Sequence, residues 1–388
     1  MEIDHSARAH SVLSPSGSHR YLGEWPCYLG CTAAPGIEAD LPDTTSEVAK
    51  EGTLCHEFCE LKLREWLENC SYRAELNRLR KNELYDKEME ECSDSYVEYI
   101  QDRCAEYEKM PTVLVEERLD ITDYMPGCFG TGDCLIISED TLHVVDYKHG
   151  KGVKVEAPHN PQLMLYALGA YKGWSLIHEL KHIKFTIYQP RIDNIAEWEC
   201  SVEELLNFGE LVRAKVKEIE NNPTFRPTEE GCRFCKARAT CRARANHFLE
   251  IAGFTDKEPD LIDPSEVKAM IDKGSGIDKW LSDLKEWALK ECLSGHEVPG
   301  LKAVHGRSNR VWSDQESAFK ALKESGYDEA VLYERKPITL SAAEKLVGKK
   351  DFESIVGKYI SKPPGKPTLV DESDKREAVK PLDAKDIF

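Results

Sequence analysis

Residues 130–171, GTGDCLIISEDTLHVVDYKHGKGVKVEAPHNPQLMLYALGAY, restrict the fold more than any other stretch of the chain. An aspartate stands in a Gly-Thr-Gly-Asp turn. The apolar run 134–137, a Glu139-Asp140 turn and a second apolar run 142–145 then lead into Asp146-Tyr147-Lys148. Two such runs joined by a short polar turn predict a β-hairpin. Strand side chains alternate faces, so Asp146 and Lys148 share one face and Tyr147 takes the other. Antiparallel pairing about the turn brings Asp133 opposite the Asp146 region. Two carboxylates held together repel unless a cation lies between them, which makes a divalent metal the natural third party. Lys148 could then hold an attacking water or a phosphate oxygen. A plain salt bridge of Asp133, Asp146 and Lys148 at a sheet edge is the competing reading.

The flanking segments supply candidates for the same site. From about Thr45 the pattern is helical, and His56 shares a face with Glu60. Gly52 would let this helix pass close to another backbone, and His56 could offer a nitrogen to the hairpin's metal. Residues 71–110 read as two charged helices with a solvated face. TVLVEERLDI reads as a strand that sends either Glu116 or Glu117 into the site, depending on register. Pro161 opens an amphipathic helix on which Gln162 and Tyr166 face the same way. HIKFTIYQP and AEWECSV read as two more strands, and Ser201 with Glu204 opens another helix.

The cysteines are the second chemical feature. Cys232, Cys235 and Cys241 are spaced C-x2-C-x5-C, with five Lys or Arg and no acid between residues 231 and 245. Thiols interleaved with cations are poor core material, so a metal site is expected. Zinc and an iron-sulfur cluster both ask for a fourth ligand. Ser14-Pro15-Ser16 reads as a helix start followed by Cys27 and Cys31, one helical turn apart. Cys27 is the leading candidate for the fourth ligand and Cys31 the second.

Charge and composition set the limits. The 388 residues and 41% hydrophobic content support one large domain with a smaller one. A net charge of −18 argues against broad attraction to duplex DNA, leaving local basic patches and a metal to make such contacts. No apolar run approaches the roughly 20 residues of a membrane span, and MEIDHSARAH lacks the apolar core of a signal peptide. Fourteen cysteines in such a chain are expected to be mostly reduced, in a bacterial cytoplasm.

The order Gly52-Thr53-x-x-His56, Gly132-Asp133, Asp146-Tyr147-Lys148 and Gln162-x-x-x-Tyr166 resembles the PD-(D/E)XK nuclease superfamily in its RecB-like branch. With Cys27, Cys232, Cys235 and Cys241 it is similar to the iron-sulfur members of that branch, the CRISPR-associated RecB-like exonucleases and AddB-type helicase-nucleases. The resemblance covers about residues 11–245. It implies an α/β, restriction-endonuclease-like core, a central mixed β-sheet flanked by helices, with a cysteine-ligated knuckle. It also implies that His56, Asp133, Asp146 and the main-chain carbonyl of Tyr147 ligate Mg or Mn. Lys148 would position or activate the water, and Gln162 and Tyr166 would steady the substrate or the lysine. The four cysteines would hold a four-iron four-sulfur cluster, with zinc as the lesser occupant. Gly132 stands where the name-giving motif has proline.

The expected activity is metal-dependent deoxyribonuclease, an exonuclease acting on single-stranded or duplex DNA ends in phage recombination or replication. The alternative is a non-catalytic scaffold recruiting a phage single-strand-binding or annealing protein. Ring-forming exonucleases in the superfamily allow a homo-oligomer. The expected domains are the nuclease over 1–250, a helical linker over 251–300, a small accessory domain over 301–361 and a Pro/Lys-rich tail over 362–388. Residues 299–314 read as a short hairpin. Lys302, Arg307 and Arg310 are read as surface cations that serve solubility, with contact to DNA as the alternative. The C-terminal part is similar to a phage and prophage family without assigned function.

Overall fold

The computed structural model describes residues 13–39, 41, 47–249, 264–304, 314–325, 332, 340–356 and 359–360. The expected hairpin at 299–314 falls largely outside them, as do Arg307, Arg310 and the tail. The chain forms two compact units, Met1–Val304 and His305–Phe388.

In the first unit a 3-10 turn, Pro15–Gly17, leads into α1 (Ser18–Tyr21), α2 (Ala34–Ala39), α3 (Glu47–Glu68), α4 (Arg73–Leu79) and α5 (Lys87–Ala105). Strands β1 (Thr112–Asp120), β2 (Phe129–Ile137) and β3 (Thr141–Tyr147) follow, then α6 (Pro161–Trp174), β4 (His182–Gln189), β5 (Asn194–Ser201) and α7 (Val202–Asn221). Short helices α8 (Glu229–Arg233) and α9 (Arg242–Leu249) precede α10 (Pro264–Gly274) and α11 (Ile277–Leu293). The helices described in the second unit are α12 (Gln315–Glu324), α13 (Leu340–Val347) and α14 (Lys349–Val356).

The five strands lie in the order β1-β2-β3-β4-β5, all neighbours antiparallel except β3 and β4. A parallel pair needs a crossover, which α6 supplies. Period-2 alternation divides the core between the two faces of the sheet. Leu135, Ile137, Leu142 and Val144 pack with Leu163 and Leu168 of α6 and Val212 of α7. Cys134, Ile136, Val145 and Tyr147 pack with Phe58 of α3, Leu76 of α4 and Tyr96 of α5. Strand β3 is buried along its whole length because helices cover both sides. The fold is thus a mixed α/β sheet flanked by helices, a restriction-endonuclease-like core. Among the described residues no helix is long and apolar enough to cross a membrane.

Local chemistry fixes the helix that carries Gln162 and Tyr166. Asn160 accepts hydrogen bonds from the backbone N–H of Gln162 and Leu163, and Pro161 takes the first helical position. Ser201 caps α7 by accepting from Glu204 N at 3.1 Å.

The N-terminal segment departs from the helical expectation. The chain reverses after α1: Gly30 N donates to Leu22 O and Cys31 N to Arg20 O. At Gly23, φ is +88° and an added Cβ would meet Gly30 N at 2.4 Å, so the reversal requires glycine. Cys27 and Cys31 therefore do not share a helical face. Cys31 is folded back beside α1, whereas Cys27 stands exposed at the bend.

Candidate metal centre

The β1–β2 ladder pairs Val115 with Cys134 and Glu117 with Gly132, and is interrupted between them at Glu116 and Asp133. The β2–β3 ladder begins at Cys134 with Val145, so the next position of that register sets Asp133 opposite Asp146. Glu116, Asp133 and Asp146 therefore form one row across three strands. The register left open between Glu116 and Glu117 is resolved in favour of Glu116. Its φ is +53°, a left-handed conformation that costs about 1–3 kcal/mol away from glycine. Its carboxylate lines the cleft beside His56 and Asp133.

His56 meets this row from α3. Its Nδ1 lies 3.4 Å from Asp133 Oδ1 and 3.9 Å from Glu116 Oε1. One ligand atom from each of His56, Glu116 and Asp133 lies within 4.8 Å of the others. A single divalent ion with ligands at about 2.0–2.3 Å spans that distance. Asp133 Oδ2 also accepts from Tyr147 N at 2.7 Å, which fixes the carboxylate. Burial disfavours the charged imidazole, yet Asp133 and Glu116 raise its pKa to about 9. Burial likewise works against the Asp133 carboxylate, but His56 and Lys148 hold its pKa below the ordinary range. As a metal ligand His56 must be neutral, so an ion bound between Asp133 and Glu116 would take the place of its proton.

Asp146 is buried and its pKa is raised, chiefly by that burial. Its Oδ2 has no hydrogen bond in proper geometry among the described residues, although Lys148 Nζ stands 2.8 Å away as an ion pair. A buried carboxylate oxygen left in this state is a ready ligand. Gln162 connects the rest: its Nε2 donates to Asp146 Oδ1 at 3.3 Å and to the Tyr166 hydroxyl at 3.0 Å, and its Oε1 accepts from Lys148 at 3.2 Å. Gly130 allows this arrangement, since a Cβ there would meet Tyr166 Cε1 at 2.6 Å and Pro15 Cγ at 2.9 Å.

His56, Glu116, Asp133, Asp146, Lys148, Gln162 and Tyr166 all line one cleft of about 470 Å³. Tyr147 is oriented differently, as strand alternation requires. Its side chain is buried behind the sheet, with the hydroxyl 3.2 Å from Cys55 Sγ and 3.1 Å from His149 Nδ1. Gly52 lines the cleft but makes no close backbone approach, because a Cβ there would meet nothing within 4 Å.

A second, narrow cavity is lined by Cys31, Cys232, Cys235 and Cys241. Cys27 is not among its lining residues, so the fourth thiol at this place is Cys31, brought there by the Gly23 reversal. Among the described residues no three of these thiols fall within the 4.8 Å mutual spacing that unites His56, Glu116 and Asp133. Four thiolates at 2.3 Å from one zinc would lie closer than that. Burial pushes the Cys235 thiol up to about 12. The knuckle is tied to the N-terminal segment through Glu38, which accepts from Arg20 Nε at 3.2 Å and from Lys236 N at 2.9 Å. Helix α11 joins the same assembly: Asp283 accepts from Arg244 at 2.7 Å, and Trp280 stacks on Phe248.

A family model described as "Protein of unknown function (DUF2800)" matches residues 10–377. Two solved structures show a weak likeness. A protein from Eubacterium rectale described as "Putative exonuclease" is 10% identical, with 69% of this chain and 97% of that chain covered and a TM-score of 0.34. A structure described as SSO0001 is 12% identical, with 49% and 85% covered and a TM-score of 0.23. At these scores neither likeness bears on the chemistry of the cleft.

Proposed function

The chain belongs to the DUF2800 family of proteins of unknown function, and we propose that it is a divalent-metal-dependent deoxyribonuclease. The observation that carries this reading is the row Glu116, Asp133 and Asp146 meeting His56, with Lys148 alongside, in one open cleft. His56, Glu116 and Asp133 would hold Mg or Mn, with Asp146 Oδ2 as a further ligand. The imidazole tilts the preference toward Mn.

A bound ion would supply an acidified water and charge stabilisation at the phosphate. The remaining work falls to the chain's own groups. Lys148 holds its ammonium against Asp146 and Gln162, where it can orient a water or donate to a phosphate oxygen. Gln162 keeps that lysine and Asp146 in register with Tyr166. The fixed Asp133–Tyr147 contact limits reorganisation of the row as charge develops.

The finer reading is an exonuclease of the RecB-like branch, acting on DNA ends in phage recombination. It rests on the motif order in the sequence. In the knuckle, Cys31, Cys232, Cys235 and Cys241 would hold a four-iron four-sulfur cluster. The C-x2-C-x5-C spacing and the cavity these residues share with Cys31 support a cysteine-bound metal there, with zinc as the lesser occupant.

Full-length protein with Mn and end-labelled single and double strands tests the assignment. Asp146→Ala and Lys148→Ala are expected to lower cleavage by about 100-fold or more, with the fold and the cysteine-bound metal retained. Undiminished cleavage in both variants would remove the reading.

A further inference from the structure

The cleft lining contains two permanent cations, and they differ in how they are engaged. Lys148 is committed to Asp146 at 2.8 Å and to Gln162 at 3.2 Å. Arg118 makes no ion pair or hydrogen bond among the described residues. Its guanidinium carbon instead lies 3.8 Å from the centre of the Phe129 ring. Cross-strand register explains the contact: Arg118 pairs with Thr131 and Asp120 with Phe129, so the two side chains are diagonal neighbours on one face. Arg118 is exposed, and it lines the cleft with Phe129 and Thr131.

We propose that Arg118, stacked on Phe129, is a phosphate-binding subsite that seats the nucleic-acid strand beside the metal centre. The inference rests on the nuclease reading and adds to it a residue that holds the substrate. Three physical points carry it. A guanidinium lying on a ring keeps its N–H edges free, in the geometry that suits bidentate contact with phosphate. Stacking also restricts the side chain before any ligand arrives, so less rotamer freedom is lost on binding. Finally, Glu116 and Arg118 are two positions apart on β1 and both line the cleft, so the guanidinium stands next to the metal row along the strand. A strand with one phosphate at the metal row would thus present another to Arg118. In a cleft that also holds three carboxylates, in a chain of net charge −18, Arg118 is the permanent cation of the lining that no carboxylate engages among the described residues.

The test is binding of a labelled single-stranded oligonucleotide to the full chain, followed by anisotropy in calcium from about 50 to 200 mM salt. Arg118→Ala is expected to weaken binding by about 10-fold and to lower the slope of log affinity against log salt by about 0.7. Arg118→Lys should restore the slope. Phe129→Leu should keep the slope while weakening affinity, since it retains the charge and loses the stack. An unchanged affinity and slope in Arg118→Ala, with wild-type protein binding and cutting normally, would overturn the subsite and leave the nuclease reading intact. A wild-type chain that neither binds nor cuts DNA with any divalent metal would overturn both.

Discussion

The identity of the fourth thiol separates the structure from the sequence pattern, and its replacement has a calculable effect. If Cys31 and the 232–241 knuckle share a metal, the bond between them closes a loop of 201 residues, from 31 to 232. Loop-closure entropy for a cross-link of that length is worth about 5 kcal/mol. This is an upper figure, because the Arg20–Glu38–Lys236 contacts already restrain the same two segments. At about 2–4 °C per kcal/mol for a unit of this size, Cys31→Ser should lower Tm on the order of 10 °C and lose the bound metal. Cys27→Ser, at an exposed position outside the cavity, should leave Tm within about 1 °C. The assay is anaerobic purification of both variants, with iron and sulfide content, visible absorbance near roughly 400 nm and thermal unfolding. Metal lost from Cys27→Ser and kept by Cys31→Ser would refute the argument from the Gly23 reversal. Zinc without sulfide in the wild type would refute the cluster while leaving the ligand set to be judged by the same two variants.

Two further predictions concern the support of the site. Gly130→Ala drives a Cβ toward Tyr166 and Pro15 and should cost about 1–3 kcal/mol, with a larger proportional loss of cleavage than of Tm; unchanged melting and cleavage would count against the close approach. Away from the cleft, Arg80 forks onto Glu90 at 2.9 and 2.7 Å and the Tyr85 hydroxyl donates to it at 2.6 Å. The Arg80 contact, helped by Tyr85 and Lys62, lowers the Glu90 pKa from 4.5 to about 2. A depressed carboxylate stabilises fully above its unfolded pKa, and that stability is lost as the pH falls from about 4.5 toward 2. Allowing for partial exposure, it is worth on the order of 1–2 kcal/mol. Glu90→Gln should therefore narrow the difference in urea midpoint between pH 6 and pH 3, and an unchanged difference would sink the assignment.

How much could be read beforehand follows from the range of each interaction. The β2–β3 hairpin, the start of α6 at Pro161 and the convergence of Asp133 with Asp146 were legible because each is set within a few residues by alternation, turn chemistry or the fixed φ of proline. Gln162 and Tyr166 were legible for the same reason, being one helical turn apart. Glu116 was only half legible. A regular β1 would leave Glu116 and Glu117 on opposite faces with nothing to choose between them, and the choice is made by a left-handed kink that no glycine announces. The place of Cys31 beside the knuckle was not legible, because it depends on Gly23 and Gly30 bringing two backbones into contact. The glycine pair was visible in the sequence, but its meaning depends on what lies across the turn. Arg118 shows the limit most clearly. On its own strand it is one charge among several, and only the cross-strand diagonal to Phe129 turns it into an oriented cation at the edge of a carboxylate row. Pairing register between strands is thus what converts a list of plausible residues into a site with a defined order: ligand row, lysine, and then a phosphate seat two positions along β1.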